Sequence, residues 1–406
     1  MISSRPNILW IVTTQWRASA CGYAGDPNAR TPHLDALAAE SVNYAQAVTS
    51  HPFGPFARAA LLTGVRSPEN GVRDYFDPLP ASARTIAHEL RERGYTTAFF
   101  GKWGVGQRDP RAPLVGEAAA KIMVPQEARG GFEFWEGFEG GFLLNDPWLH
   151  GTGKGLAEPK LFPGYQSELL VDRFAYWLTQ HGKLGSKFVV VSVEAPHPPY
   201  DAPAAGIVAR APREIILPDN VPRGGEAEAR ARRELAGYHA HIEATDRAIG
   251  RLLADVNRDD TVVVFTSVHG DMHGAHGLFR KGWPHEESVR VPLLVRAPDV
   301  VPRRDDSPIS LLDLPGLTLA QIENRESKIE NRAAQISMPS VVALPQQCDR
   351  PWRGVRTKSR KLVLNADGSP WLFFDLADDP LERRNLADDA SRAGELAELR
   401  RVVAPA

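Results

Sequence analysis

Continuous apolar runs bounded by polar residues recur along most of the chain: Asn7-Ile-Leu-Trp-Ile-Val-Thr13, Thr96-Thr-Ala-Phe-Phe-Gly101, Phe188-Val-Val-Val-Ser-Val193 and Thr261-Val-Val-Val-Phe-Thr266. Runs of this length without polar alternation predict strands buried on both faces of a parallel sheet. Between them lie amphipathic segments. Ala83 to Arg93 is one, and Arg233 to Val256 is another, with Leu235, Ile242, Ile249, Leu252 and Leu253 at helical spacing. Strands alternating with helices predict an α/β sandwich with a mostly parallel central sheet and helices on both faces. Ligands of such sheets bind beyond the carboxyl ends of the strands, so the residues that follow each run are the candidates for chemistry.

From about Pro302 the pattern changes. Ile322-Glu-Asn-Arg325 returns as Ile329-Glu-Asn-Arg332 within a polar stretch. A single repeat is too short for a coiled coil, so residues 317–347 are expected to form a linker or insertion. Trp352 to Thr357, Lys361 to Leu364 and Trp371 to Phe374, with the turn Asn365-Ala-Asp-Gly368, then predict an antiparallel meander closed by a polar helix from about Ser391 to Val402. The expected organisation is an α/β domain over 1–316, the linker 317–347 and a small C-terminal α+β subdomain over 348–406.

Composition narrows this little. The chain has 406 residues, 43% of them hydrophobic and 24% charged, and a formal net charge of -2, which points to neither nucleic acid nor a membrane surface as partner. Its two cysteines, Cys21 and Cys348, supply no disulfide framework and no thiolate metal site. With the first strand starting at Asn7 there is no space for a signal peptide, so a cytoplasmic location is expected. No apolar run reaches the roughly 20 residues of a membrane span. Nothing in the sequence indicates an oligomeric state.

Ser50-His-Pro-Phe-Gly-Pro-Phe-Ala-Arg58-Ala-Ala-Leu-Leu-Thr-Gly64 resembles the signature of the sulfatases, a family of the alkaline phosphatase superfamily. There a Cys or Ser, matured to formylglycine, stands four residues before an Arg and opens a helix. Arg5-Pro-Asn-Ile-Leu, Thr31-Pro-His-Leu-Asp35, Gly101-Lys-Trp103, Pro196-His-Pro-Pro-Tyr200, His269-Gly-Asp-Met272 through Lys281-Gly282, and Glu286-Glu-Ser-Val-Arg-Val-Pro292 are similar to sulfatase sequence in family order. So are Arg353-Gly-Val-Arg356 and Asp375 to Asn385. The resemblance implies the sulfatase fold, with a small four-stranded C-terminal subdomain.

The same resemblance shows what has been replaced. The nucleophile position is Gly54. The family holds a divalent cation, usually calcium, through two Asp after the first strand and a third Asp before an Asn or His; here these positions are Thr14, Gln15, Val268 and His269. Calcium takes six to eight oxygen ligands with several charges among them, so no cofactor is expected unless the family reaction, and calcium with it, is retained. The family's anion-gripping and proton-transfer positions carry Arg58, Lys102, His197 and Lys281, while a second family His is replaced by Gly104.

Losing carboxylates and keeping cations implies a pocket of net positive character, suited to hold an anion and not to cleave it. Each retained residue also has a plain structural reading: Arg58 within its helix, Lys102 and Lys281 as solvated charges, His197 as a loop histidine. His269, Asp271, His273 and His276 additionally permit a zinc reading within one glycine-rich loop. The favoured expectation is a catalytically degenerate sulfatase-family protein that retains at most an anion-binding pocket, with a sulfated or other anionic small molecule as the candidate partner. Its rivals are an active sulfuric or phosphoric ester hydrolase with a non-standard nucleophile or metal, and a relic with neither property.

Overall fold

The computed structural model describes residues 5–182, 185–323, 333–342 and 344–404. Ten strands form the central sheet: β1 (Asn7–Thr13), β2 (Val42–Val48), β3 (Thr96–Lys102), β4 (Phe134–Phe138), β5 (Trp148–Gly151), β6 (Lys160–Leu161), β7 (Lys187–Ser192), β8 (Thr261–Ser267), β9 (Leu293–Arg296) and β10 (Arg303–Ser310). Their order across the sheet is β10-β2-β9-β8-β1-β7-β3-β4-β5-β6. The centre, β8-β1-β7-β3-β4, is parallel, and β9 and β5 run against their neighbours.

The apolar runs form the middle of this sheet because both of its faces are covered. Ile8, Trp10 and Val12 face one core with Val190 and Val264, against the helices Gly54–Thr63 and Ile86–Glu92. Leu9 and Ile11 face the other with Val189, Val191 and Phe265, against Gln166–His181 and Glu226–Ala254. Every second residue changes face, so a run with no polar position is what two-sided burial requires. Each such side chain contributes on the order of 1.5–3 kcal/mol. Trp10 packs edge-on against Phe188, with ring centroids 5.3 Å apart, and donates its indole N–H to Thr318 Oγ1 at 3.1 Å.

The helix predicted from Ala83 starts later, at Ile86, where Thr85 caps it by accepting the N–H of Ala87. That predicted from Arg233 starts earlier, at Glu226, because its first turns are polar and carry no core-facing signal. No helix among the described residues is long and apolar enough to cross a membrane.

A second, four-stranded antiparallel sheet is formed by β11 (Ala333–Met338), β12 (Trp352–Thr357), β13 (Arg360–Asn365) and β14 (Pro370–Asp375). It revises the linker expected over 317–347. That span begins within the helix Leu314–Ile322 and contains β11, which pairs with β12 from Ala333 opposite Thr357 to Met338 opposite Trp352. Ala334, Ile336 and Met338 turn inward while alternate residues stay half-exposed, the alternation of a one-face-buried strand. The duplicated segment lies mostly outside the described residues.

Ion pairs and one indole dock this sheet onto the main domain. Buried Lys361 places its ammonium 2.7 Å from both Glu286 Oε1 and Glu382 Oε1. Arg356 reaches Glu286 Oε2 at 3.0 Å, and Trp352 donates to Gly282 O at 2.8 Å. Burial raises the Glu286 carboxyl, but Arg356 and Lys361 outweigh it and hold the group well below the usual carboxylate range.

Candidate functional site

The carboxyl ends of β1, β3, β7 and β8 and the start of the helix Gly54–Thr63 open into one cavity of about 1030 Å³. Thr14, Gln15, Gly54, Arg58, Lys102, His197, His269 and Lys281 all line it, so the structure brings together the residues at the sulfatase-site positions except Val268, which is buried outside the lining, as Asp271, His273 and His276 of the zinc reading also lie outside it. Pro55 lies at the first helical positions, and Gly64, at φ 70°, closes the helix by donating to Ala60 O at 2.8 Å. This fixes Arg58 one turn into the helix, with its side chain crossing the pocket floor.

Arg58 is buried and reaches across three strand ends. Its Nη1 donates to Lys102 O at 3.0 Å and Ser192 Oγ at 2.8 Å, and its Nη2 donates to Thr14 Oγ1 at 2.8 Å. Its Nε is buried with no hydrogen-bond partner among the described residues. Gly104 makes the path possible: a Cβ there would lie 2.8 Å from Arg58 Cδ. Gly54 is different, because a Cβ added to it meets nothing within 4 Å.

The other cations are tied to carboxylates that sequence reasoning passed over. Lys102 Nζ pairs with Glu194 Oε1, Arg108 with Glu139 at 3.3 Å, and Arg280 with Glu234 at 2.7 Å. The expected excess of positive charge is therefore largely matched. Arg58, Lys281 and Arg210 are the lining cations with no carboxylate within ion-pair distance among the described residues, and of these Arg58 and Lys281 are the buried ones. Glu194 had a usable signal, as a carboxylate placed two residues after a strand of unbroken burial.

Lys281 Nζ donates to Gln15 Oε1 at 2.5 Å and lies 3.0 Å from His197 Nε2. His197 Nδ1 contacts Pro198 O at 2.7 Å, which places the ring proton on Nδ1 and leaves Nε2 as the acceptor for the ammonium. Phe142 stacks on this imidazole, with centroids 4.5 Å apart and planes 1° from parallel. Burial, with the Lys102 ammonium nearby, pushes Lys281 down to about 7. Burial and Lys281 push His197 well below its ordinary value, so its ring is neutral. Burial alone takes Arg58 down to about 10 against the pull of Glu194.

Existing hydrogen bonds occupy the polar atoms of Thr14 and Gln15 at the family's metal positions. Thr14 Oγ1 accepts from Arg58 and donates to Val193 O at 3.2 Å. Gln15 offers its carbonyl to Lys281 and its amide to Asp271 and to Tyr200 OH, the latter at 3.3 Å. Val268 offers no donor atom. Only His269 presents a spare ligand atom: Nδ1 is bonded to Gly270 O at 2.8 Å, and Nε2 is buried without a partner among the described residues. One imidazole nitrogen does not fit calcium, whose ligands are oxygens and whose charge the nearby Lys281 and Arg58 would oppose.

The loop histidines also separate. His273 packs under Tyr238, with ring centroids 4.3 Å apart, while His276 stacks on His285 at 4.2 Å. The zinc reading of the loop alone is thereby set aside.

The mostly parallel central sheet flanked by helices and the small four-stranded antiparallel sheet match the fold of solved sulfatase-family structures. The family model "Sulfatase" matches residues 6–321, and the chain belongs to that family. It is 34% identical over 416 residues to an ulvan-active sulfatase of Formosa agariphila, covering 94% of this chain and 77% of that protein. Among solved structures, a sulfatase candidate from Bacteroides fragilis superposes with a TM-score of 0.84 at 24% identity, covering 98% of this chain and 94% of that one. A protein crystallised with its substrate D-glucosamine-2-N,6-O-disulfate superposes with a TM-score of 0.80 at 21% identity, covering 98% and 96%.

Proposed function

We propose that this sulfatase-family chain holds a sulfated or other anionic small molecule in the pocket without hydrolysing it. The observation that carries this reading is the bond from Arg58 Nη2 to Thr14 Oγ1: a fixed cation occupies the space between strand ends where the family's carboxylates would gather an ion. Gly54 supplies no nucleophile, and the Thr14 hydroxyl is bonded to Arg58 and Val193 O with no base among its partners; the lining hydroxyl that does meet a carboxylate is the phenol of Tyr200, which donates to Asp271 Oδ2 at 3.0 Å. Arg58, Lys281 and the orphaned N–H of Arg58 Nε supply what an anion needs, namely positive charge and donors in a water-poor setting. The relatives support the ligand class: one is an ulvan-active sulfatase, and another was solved in complex with its substrate D-glucosamine-2-N,6-O-disulfate.

Titration with inorganic sulfate and a sulfated monosaccharide, alongside turnover of an aryl sulfate, tests it. Binding that weakens with salt and with Arg58→Ala, without turnover, is the expected result. The second reading, an active ester hydrolase, draws on the Lys281–His197 contact, which preserves proton-transfer equipment. Arg58-dependent turnover would establish it.

A further inference from the structure

Away from the pocket, His276, His285 and Glu382 bring one imidazole nitrogen each and one carboxylate oxygen to within 4.8 Å of one another. His276 comes from the loop after β8, His285 precedes the helix Glu286–Val289, and Glu382 follows β14. None of the three lines the cavity beside Arg58. We infer that these residues form a binding site for a divalent transition-metal ion of the zinc type, clamping the C-terminal subdomain onto the α/β domain.

Donor chemistry and spacing both favour this. Two imidazoles and one carboxylate are a recurrent zinc ligand set, with a further position left for water. The His285 Nδ1 to Glu382 Oε2 separation is 3.3 Å. That is long for a charge-assisted hydrogen bond, yet it is the edge of a tetrahedron whose metal bonds are about 2.05 Å, roughly 3.3 Å. The hydrogen bond that satisfies Glu382 Oε2 is a different one, from Glu286 N at 2.8 Å.

His276 is similarly underbonded. Its Nε2 lies 3.2 Å from Asn220 Nδ2, an amide that already donates to Glu287 Oε1 at 2.6 Å and Leu381 O at 3.2 Å. The two amide hydrogens are spent on those oxygens, so the imidazole lacks a donor of its own. His276 is also the half-buried member of the trio, its ring stacked on His285 at 4.2 Å, while His285 and Glu382 are buried.

The surrounding groups supply the supporting layer a metal site needs. Lys361 holds Glu382 Oε1 at 2.7 Å, fixing the carboxylate while leaving the side that faces His285 accessible. Phe374 of β14 packs against the His285 ring at 5.7 Å, joining the site to the C-terminal sheet. The two histidines come from one segment and Glu382 lies 97 positions beyond His285, so an ion would cross-link the α/β domain to the C-terminal subdomain and add to folding stability by mass action.

Chelator-treated full-length protein should be titrated with zinc chloride by calorimetry, followed by thermal melts and by cobalt(II) substitution. One equivalent should bind, the melting temperature should rise, and cobalt should give the strong visible absorption of four-coordinate nitrogen–oxygen ligation. His276→Asn and His285→Phe, the latter keeping an aromatic ring against Phe374, should each weaken zinc by at least about 100-fold. Less than about a tenth of an equivalent of zinc, or binding unchanged in both variants, would overturn the site. If either variant fails to fold, the cobalt spectrum of the unaltered protein decides, since a weak octahedral spectrum or none rejects the proposal.

Discussion

The two sides of the pocket floor solve the problem of buried polarity in opposite ways. At the ends of β1 and β8, Thr14, Gln15 and Val268 carry no charge, and their polar atoms are used up by Arg58, Lys281, Asp271 and Tyr200. At the ends of β3 and β7, Lys102 and Glu194 form a buried ion pair. The first arrangement leaves an ion nothing to bind; the second keeps a cation in place without one. Arg58, from the helix after β2, and Lys281, from the segment after β8, both bond to the neutral side, and they are the buried lining cations whose charge is not spent on a carboxylate among the described residues.

The largest effect should come from breaking the charged side. Glu194→Gln strands Lys102 in a buried site near Arg58, and unfolding in urea should show a loss of about 3–5 kcal/mol. The double change Lys102→Met with Glu194→Gln should cost less than the single one. A loss below about 1 kcal/mol would mean that water reaches the pair.

Arg58→Met separates binding from stability. Anion affinity should fall by about 100-fold, the worth of a charge-assisted hydrogen bond of up to ~3 kcal/mol. Stability should stay within about 1 kcal/mol or rise, because the change removes a buried charge with no carboxylate partner.

Lys281 sets the pH dependence. Its folded value, about 7, is below its value in the unfolded chain, near 10.5, so between these limits the unfolded chain binds the extra proton. Stability gained from this group is present above the unfolded value and is lost as pH falls toward about 7. Chemical denaturation across that window should show the slope, and Lys281→Met should flatten it. Anion affinity should run the other way, weakening up to about tenfold per pH unit above 7 as the ammonium is lost.

The smallest effect is expected at Gly54. Because a Cβ there meets open space, Gly54→Cys should fold with stability within about 1 kcal/mol of the parent and should give no aryl sulfate turnover. Turnover from that single change would show that the neutral side needs no carboxylates.

Much of the fold was legible because β1, β3, β7 and β8 are buried on both faces and announce themselves as unbroken apolar runs. Their ends then located Thr14, Gln15, Lys102, His197 and His269 in one cavity. β10 was hidden because its first residues, Arg303 to Ser307, are polar at the sheet edge, and its pairing with β2 is set by tertiary position. β11 was hidden beside a polar repeat, where a six-residue alternation carries little signal.

The partners of the site cations were the main omission. Glu194 meets Lys102 across 92 positions of sequence, and Glu382 meets His285 across 97; periodicity reports neither. Reading the pocket from its cations alone therefore overstated its positive charge. The retained Arg58 was legible by position, but its bond to Thr14 follows from the open space at Gly104, which only the packing reveals.

The most direct test is a calcium titration of the chelator-treated protein by calorimetry, run with and without inorganic sulfate. The account predicts no calcium binding at the pocket and a sulfate affinity that chelator leaves unchanged. One equivalent of calcium that binds tightly, enhances sulfate affinity and is lost with Gln15→Ala would contradict it, and would mean that Thr14, Gln15 and His269 still assemble the family's metal centre.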